Sequence, residues 1–324
     1  MHCGVMVTGY NQGDWDRLME GDYARPPTIS DAENMDDTLY MGDLVEPLGF
    51  DSIWATEHYG SAYSMQPNPL QYLSYWAGRT SRVDMGTAVI VAPWWNPVRL
   101  AHEISMLDIL LKGRRLHLGI GRGIAPHEYA SLGYPLEQSH KYFYDVIHAI
   151  KAADGAERFE FHGEIYEIPP TTIRPQARHK GDLTTKIKVA FTTEASAKLA
   201  AENGLGQMFV SGDNLSDMTN QVQRFNKIRH GLGLPPDQPT TLLWMYCAET
   251  SAEAEEGWEY FYNQLTAAQH HYFEWNNPGF EGIHGYEEYL KRQTADVGTA
   301  DASYAARRGT QPIGTPDEII DRIK

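Results

Sequence analysis

The sequence predicts an α/β fold of parallel strands joined by helical crossovers, and three observations carry that prediction. Short apolar runs of strand length alternate with longer helical stripes at least six times along the 324 residues. Asn-Pro pairs open helices and glycines close them where the chain switches from one type to the other. A hydrophobic fraction of 42% supplies a full core for a chain of this length. The evenness of the alternation favours a closed barrel, and an open doubly wound sheet fits the same pattern.

Taken in order, the run from Cys3 to Val7 has strand length, and residues 11–29 form a polar, turn-rich loop. Ser30 and Glu33 have the spacing of a capping box, which starts a helix with Met35, Leu39, Gly42 and Val45 turned inward. A strand follows over 51–56. Asn68-Pro69 opens a helix that reaches Trp76, and Val83 to Val91 is a third strand rich in β-branched residues. Asn96-Pro97 opens the next helix, where Leu100, Ile104, Leu107 and Leu111 share a face and Gly113 ends it. Leu116 to Ile120 is a fourth strand, and Phe143, Val146, Ile147 and Ile150 mark a helix. Further strands are predicted over 186–191, 207–210 and 241–248, with helices over 196–203 and 214–230. Two segments break the rhythm. Residues 155–182 alternate at Phe159, Phe161, Ile165 and Tyr166 and read as a hairpin-like insertion. Residues 275–312, rich in Gly, Asn, Ala and Thr, read as a long mobile loop. The whole, 1–324, reads as a single barrel domain.

Charge and cysteine usage exclude several classes. There are 27 basic against 43 acidic residues, a net charge of −16, so nucleic acid and anionic membrane surfaces are not expected partners. Cys3 and Cys247 are too few for a disulfide framework or a zinc ribbon. The start lacks a basic n-region, and no apolar run approaches the roughly 20 residues of a membrane helix. The expectation is an acidic cytoplasmic enzyme.

Several motifs carry chemistry. Gly119-Ile-Gly121-Arg122-Gly123 follows a strand, but Ile124 stands where a dinucleotide fingerprint needs its third glycine. A tight turn, or an anion site of exposed amides beside one guanidinium, fits better. Thr192-Thr193-Glu194-Ala195-Ser196 joins a strand to a helix start, either as a plain N-cap or as a phosphate cradle. His58, in Glu57-His58-Tyr59, falls at the strand end that carries chemistry in parallel α/β folds, where a histidine serves as a general base or as a structural residue. Trp94-Trp95 either walls an apolar pocket or anchors a packed loop. His102-Glu103 lacks the second histidine of a zinc helix, since Met106 stands there, and no metal site is expected. P-loop and hydrolase-elbow signatures are absent from the sequence.

Together these segments resemble the bacterial luciferase-like family of flavin-dependent monooxygenases. LGFDSIWATEH resembles its second-strand signature. SRVDMGTAVIVAPWWNPVRLAHEISMLDILLKGRRLHLGIGRG resembles its third strand, helix and fourth strand, and QPIGTPDEIIDRI its late helix start. The resemblance runs along the whole chain and is strongest over 48–150.

The resemblance implies a TIM-type (β/α)8 barrel with FMN at the C-terminal mouth of the strands. Relatives continue past the position of Lys324, so the last strand and helix are not evident. It implies reduced FMN from a separate flavin reductase, a flavin hydroperoxide formed with oxygen, a small apolar substrate and a homodimer. His58 matches the catalytic histidine. Arg122 matches the arginine that grips the FMN phosphate, and Thr193 and Ser196 match its hydroxyl segment. Ala88-Val89 matches a non-prolyl cis peptide beneath the flavin ring. Gly121 stands where luciferase proper has a cysteine, and is expected to leave more room. Ile124, Ala190 and Thr192 complete the cofactor positions. Two departures are Tyr59 in place of a second histidine and His140 in place of an arginine near the phosphate. A deazaflavin-dependent oxidoreductase and a non-catalytic flavin-binding subunit are the rival readings.

Overall fold

The computed structural model describes residues 1–14, 17–18, 20–191, 194–210, 215–271, 277–283, 286, 290 and 307–323. The chain forms two compact units, Met1–Ile187 and Lys188–Lys324.

The first unit alternates strand and helix: β1 (Gly4–Met6), α1 (Asp31–Val45), β2 (Ser52–Ala55), α2 (Pro69–Arg79), β3 (Asp84–Val91), α3 (Pro97–Leu110), β4 (Leu116–Gly121), α4 (Pro126–Leu132) and α5 (Ser139–Ala153). The four strands pair in parallel in sequence order, with Gly4 beside Ser52, Ser52 beside Asp84 and Met85 beside Leu116. All their C-terminal ends therefore lie along one edge, which is where the loops that carry His58 and Arg122 begin.

Local chemistry sets the helix starts as the sequence predicts. Ser30 Oγ accepts the Glu33 amide at 3.2 Å, and the Glu33 carboxylate accepts the Ser30 amide at 3.0 Å. The Asn68 side chain accepts from the Gln71 amide at 2.9 Å, and that of Asn96 from the Val98 amide at 3.0 Å, each before a proline whose missing N–H costs nothing there. The predicted face of α3, with Leu100, Ile104 and Leu107 and then Leu111 just past its end, is buried.

On α1 the buried residues are Thr38, Gly42 and Val45, whereas Met35 and Leu39 are only half-buried. Close approach of Trp76 from α2 sets this rotation. A Cβ on Gly42 would stand 2.1 Å from the indole Cζ2 of Trp76, so the glycine face must meet the ring.

The insertion is the predicted hairpin, β5 (Phe159–His162) antiparallel to β6 (Glu167–Thr171). Ile165 and Tyr166 lie in its turn rather than on a strand, because the Asp145 carboxylate of α5 accepts both their amides, at 2.7 and 3.0 Å.

The second unit contains β7 (Lys188–Ala190), α6 (Glu194–Glu202), β8 (Gly206–Val210), α7 (Leu215–Gly231), β9 (Thr240–Leu242), β10 (Tyr246–Cys247), α8 (Ser251–His271), β11 (Ile313–Gly314) and α9 (Pro316–Ile323). Strands β7, β8 and β9 pair in parallel, as do β10 and β11. The single strand expected over 241–248 is thus two short ones. The Trp244 amide between them donates to the Gln311 side chain at 2.9 Å instead of continuing a ladder. The loop expected over 275–312 lies largely outside the described residues. Cys3 and Cys247 are exposed free thiols. Among the described residues, no helix is long and apolar enough to cross a membrane.

Candidate active site

The loop after β2 is tied down by hydroxyls. Thr56 and Thr8 both bond Ser64 and the Gln66 side chain, with Thr8 reaching Gln66 Oε1 at 2.9 Å. The His58 amide donates to the Gln66 carbonyl at 3.1 Å, and the Met65 amide to Gly9 at 2.9 Å. The backbone that carries His58 is therefore fixed to the ends of β1 and β2.

Two carboxyl groups flank that histidine. Glu128, the third residue of α4, is fully buried. It accepts the Tyr59 amide at 2.7 Å and lies 3.3 Å from His58 Nδ1. An acceptor at Nδ1 favours the tautomer that carries its proton there, which makes Nε2 the basic nitrogen. Glu57 points the other way and is buried. It accepts the Val91 amide at 2.7 Å, Trp95 Nε1 at 2.9 Å and the Tyr59 hydroxyl at 3.2 Å. Burial, only partly offset by these donors, pushes the Glu57 carboxyl up to about 8.

Aromatic rings surround the pair. His58 meets Tyr63 edge-on at 5.1 Å, and Tyr63 meets Tyr10 at 4.9 Å. Trp94 stands between Tyr59 and Tyr129, 5.5 Å from each. Trp95 is a loop anchor through Glu57, and Trp94 is packed between two tyrosine rings.

The end of β3 is irregular. Its register against β4 shifts between Thr87 and Ile90, and Ala88-Val89 is a cis peptide, as the resemblance implied. Thr87 Oγ1 replaces the lost ladder, donating to the Gly119 carbonyl at 2.8 Å and accepting its amide at 3.1 Å. The Val89 side chain fills the place beside Gly121, where a Cβ would stand 2.6 Å from Val89 Cγ2. The extra room expected from a glycine at 121 is therefore already occupied.

Arg122 follows, half-buried, with its carbonyl accepting the Tyr129 hydroxyl. Gly123 has φ +72, and a Cβ there would lie 2.7 Å from Val91 Cγ1, so this turn demands glycine twice over. Ile124 is half-buried in the same loop.

The structure thus brings His58, Ala88, Val89, Gly121, Arg122 and Ile124 to one edge of the first unit's sheet. His140 lies in the first turn of α5, half-buried, its ring 4.8 Å from that of Tyr144. Ala190 ends β7 and Ser196 is half-buried in the first turn of α6, both in the second unit. Thr192 and Thr193 lie outside the described residues. Sequence reasoning singled out neither Glu57 nor Glu128. An acid two residues after Pro126 marks a helix start, but only the fold shows that it meets His58.

The model of the luciferase-like monooxygenase family matches residues 18–324. The chain belongs to that family of flavin-dependent monooxygenases, and its fold is the α/β, TIM-type barrel. The oxygenase component of flavin-dependent trigonelline monooxygenase from Acinetobacter baylyi is 26% identical over 302 residues, 89% of this chain and 79% of that protein. Among solved structures, a monooxygenase from Streptomyces bottropensis has TM-score 0.74 and 24% identity, covering all of this chain and 87% of its own. The oxygenating constituent of 3,6-diketocamphane monooxygenase from Pseudomonas putida, in complex with FMN, has TM-score 0.69 and 18% identity, covering 100% and 87%. An F420-dependent secondary alcohol dehydrogenase has TM-score 0.67 and 17% identity, covering 100% and 89%.

Proposed function

We propose that this protein oxygenates a small apolar substrate with oxygen and reduced FMN, the latter supplied by a separate reductase, and that it acts in the cytoplasm as a homodimer. The observation that carries the reading is His58 held by Glu128 at a ring-lined strand edge, next to the Arg122 turn. The Acinetobacter relative is an oxygenase component, which supports a separate reductase, and the Pseudomonas structure contains FMN.

The residues present fit such a group. A half-buried guanidinium on a two-glycine turn suits a phosphate, and the packed rings suit a planar ligand and an apolar substrate. When bound, reduced FMN supplies the electrons that activate oxygen. Arg122 would hold the phosphate through charge-assisted hydrogen bonds. Ala190, Thr192, Thr193, Ser196 and His140 keep their cofactor assignments as proposals from sequence likeness. The Ala88-Val89 peptide and Gly121 shape the floor of the site. His58 holds and moves a proton at Nε2 while Glu128 keeps its ring in place. Glu57, bonded to Val91 and Trp95, ties down the loop that carries His58.

The test supplies photochemically reduced FMN, or reduced deazaflavin, in air with a panel of terpenes, ketones and aldehydes. Oxygenated product with FMN is the expected outcome. Turnover with deazaflavin alone, without oxygen uptake, would replace this reading with hydride transfer, the alternative that the F420-dependent likeness keeps in view.

A further inference from the structure

We propose that His2, Asp84 and His117 form a site for a late first-row divalent cation such as Zn²⁺ or Cu²⁺, at the N-terminal edge of the first unit's sheet. This is the end of the strands away from His58, so the proposal does not depend on the flavin reading. Asp84 opens β3 and His117 is the second residue of β4. Gly86 pairs with His117, and Asp84 lies two residues before Gly86, so the two side chains share a face.

His2 precedes β1, with β2 and β3 between it and β4. Three strand spacings would put it about 14 Å away on a flat sheet. Its ring centroid is instead 5.3 Å from that of His117. The curl of the sheet and the inward lean of the side chains bring together residues that are far apart in sequence, and this is why no motif announces them.

One potential ligand atom from each residue lies within 4.8 Å of the other two, and His117 Nε2 is 3.2 Å from Asp84 Oδ2. Ligands at 2.0–2.1 Å in a tetrahedron stand roughly 3.4 Å apart. The His117–Asp84 pair is already at that spacing, and the exposed His2 has the rotamer freedom to close the remainder.

The ligands are supported from behind. Asp84 Oδ1 accepts the Arg115 amide at 2.9 Å, which turns Oδ2 toward His117. Trp54 stacks on His117 at 5.5 Å and 22°, which fixes the imidazole plane. Such outer contacts are what orient a metal's ligands. Two imidazoles and one carboxylate select a borderline cation over Ca²⁺ or Mg²⁺, which require oxygen. Bound there, the ion clamps the residues before β1 onto β3 and β4.

The test titrates untagged protein with Zn²⁺ by calorimetry and with Cu²⁺ by tryptophan fluorescence. One equivalent of Zn²⁺ is expected to bind, with affinity at least about tenfold weaker in His2→Ala, Asp84→Asn and His117→Asn, since a direct ligand matters at least as much as the outer contacts worth roughly 10- to 100-fold. Cu²⁺ should quench Trp54, and Trp54→Phe should remove that part of the quench. Zn²⁺ should raise the melting temperature of the wild type but not of His2→Ala, whose exposed side chain is not needed for folding. Equal binding by wild type and the Asp84 and His117 variants would overturn the site. So would loss confined to His2→Ala, which would mark a simple chelate at the chain start.

Discussion

Burial gives Glu57 a property that matters for pH. The folded protein keeps Glu57 protonated up to about 8, against an ordinary value of 4.5. Between those values the folded state binds more protons than the unfolded one. The stabilisation is therefore complete below about 4.5 and is lost as pH rises through 8. Glu57→Gln should remove that decline while keeping an acceptor for Val91 and Trp95. Urea midpoints at pH 5 and pH 8 check this, and parallel slopes for wild type and variant would refute it. At the neighbouring His58, alanine should leave the fold and the binding of oxidised FMN intact. The rate of oxygenation should fall by roughly 100- to 10,000-fold, so that product per reduced flavin drops and hydrogen peroxide forms instead. An unchanged product yield would leave His58 a structural residue. Arg122→Ala should weaken FMN binding about ten- to a hundredfold and riboflavin binding little, because a charge-assisted bond to phosphate contributes about 1.5–3 kcal/mol. Equal loss for both ligands would make Arg122 part of the turn and nothing more.

The pairing of α1 with α2 depends on a close approach that opposes helix propensity. Alanine at Gly42 would gain about 1 kcal/mol of intrinsic helix preference. Its Cβ would also stand 2.1 Å from Trp76, a side chain with no exposed surface and no room to withdraw. Overpacking of that kind costs roughly 1–3 kcal/mol. Packing should win, and Gly42→Ala should lower the urea midpoint, whereas a raised midpoint would show that the two helices can separate without penalty. The same logic explains which elements were readable. Capping at Ser30, Asn68 and Asn96 is local chemistry, so those helix starts agree with prediction. The face of α1 and the split of the strand over 241–248 are set by Trp76 and Gln311, which come from elsewhere in the chain.

The chain as a whole has two compact units, and the sequence reads as one domain. As a single domain, the protein is expected to unfold in one cooperative transition, with the buried Trp76 of the first unit and Trp258 of the second changing together. Single-tryptophan variants followed in urea check this, and two separated midpoints would establish independent domains. The net charge of −16 adds an expectation of its own. Added NaCl should raise the urea midpoint, because screening the self-repulsion outweighs weakening exposed ion pairs such as Arg79–Asp43, and a midpoint that falls with salt would refute this.

By itself the sequence determined the alternation of strand and helix, the parallel sense of the strands, the hairpin insertion and the loops that bear His58 and Arg122. These follow from periodicity, caps and turns, which act over a few residues. Its likeness to a family also pointed to the cis peptide at Ala88-Val89, which the structure contains. Only the tertiary structure decided what His58 meets. Glu128 and His58 are 70 positions apart, and the contact exists because parallel strands deliver both loops to one edge. It also decided that Val89 fills the space beside Gly121, and that Glu57 is buried deeply enough to hold its proton. Burial and long-range contact are properties of the packed sheet, and no local pattern in the chain encodes them.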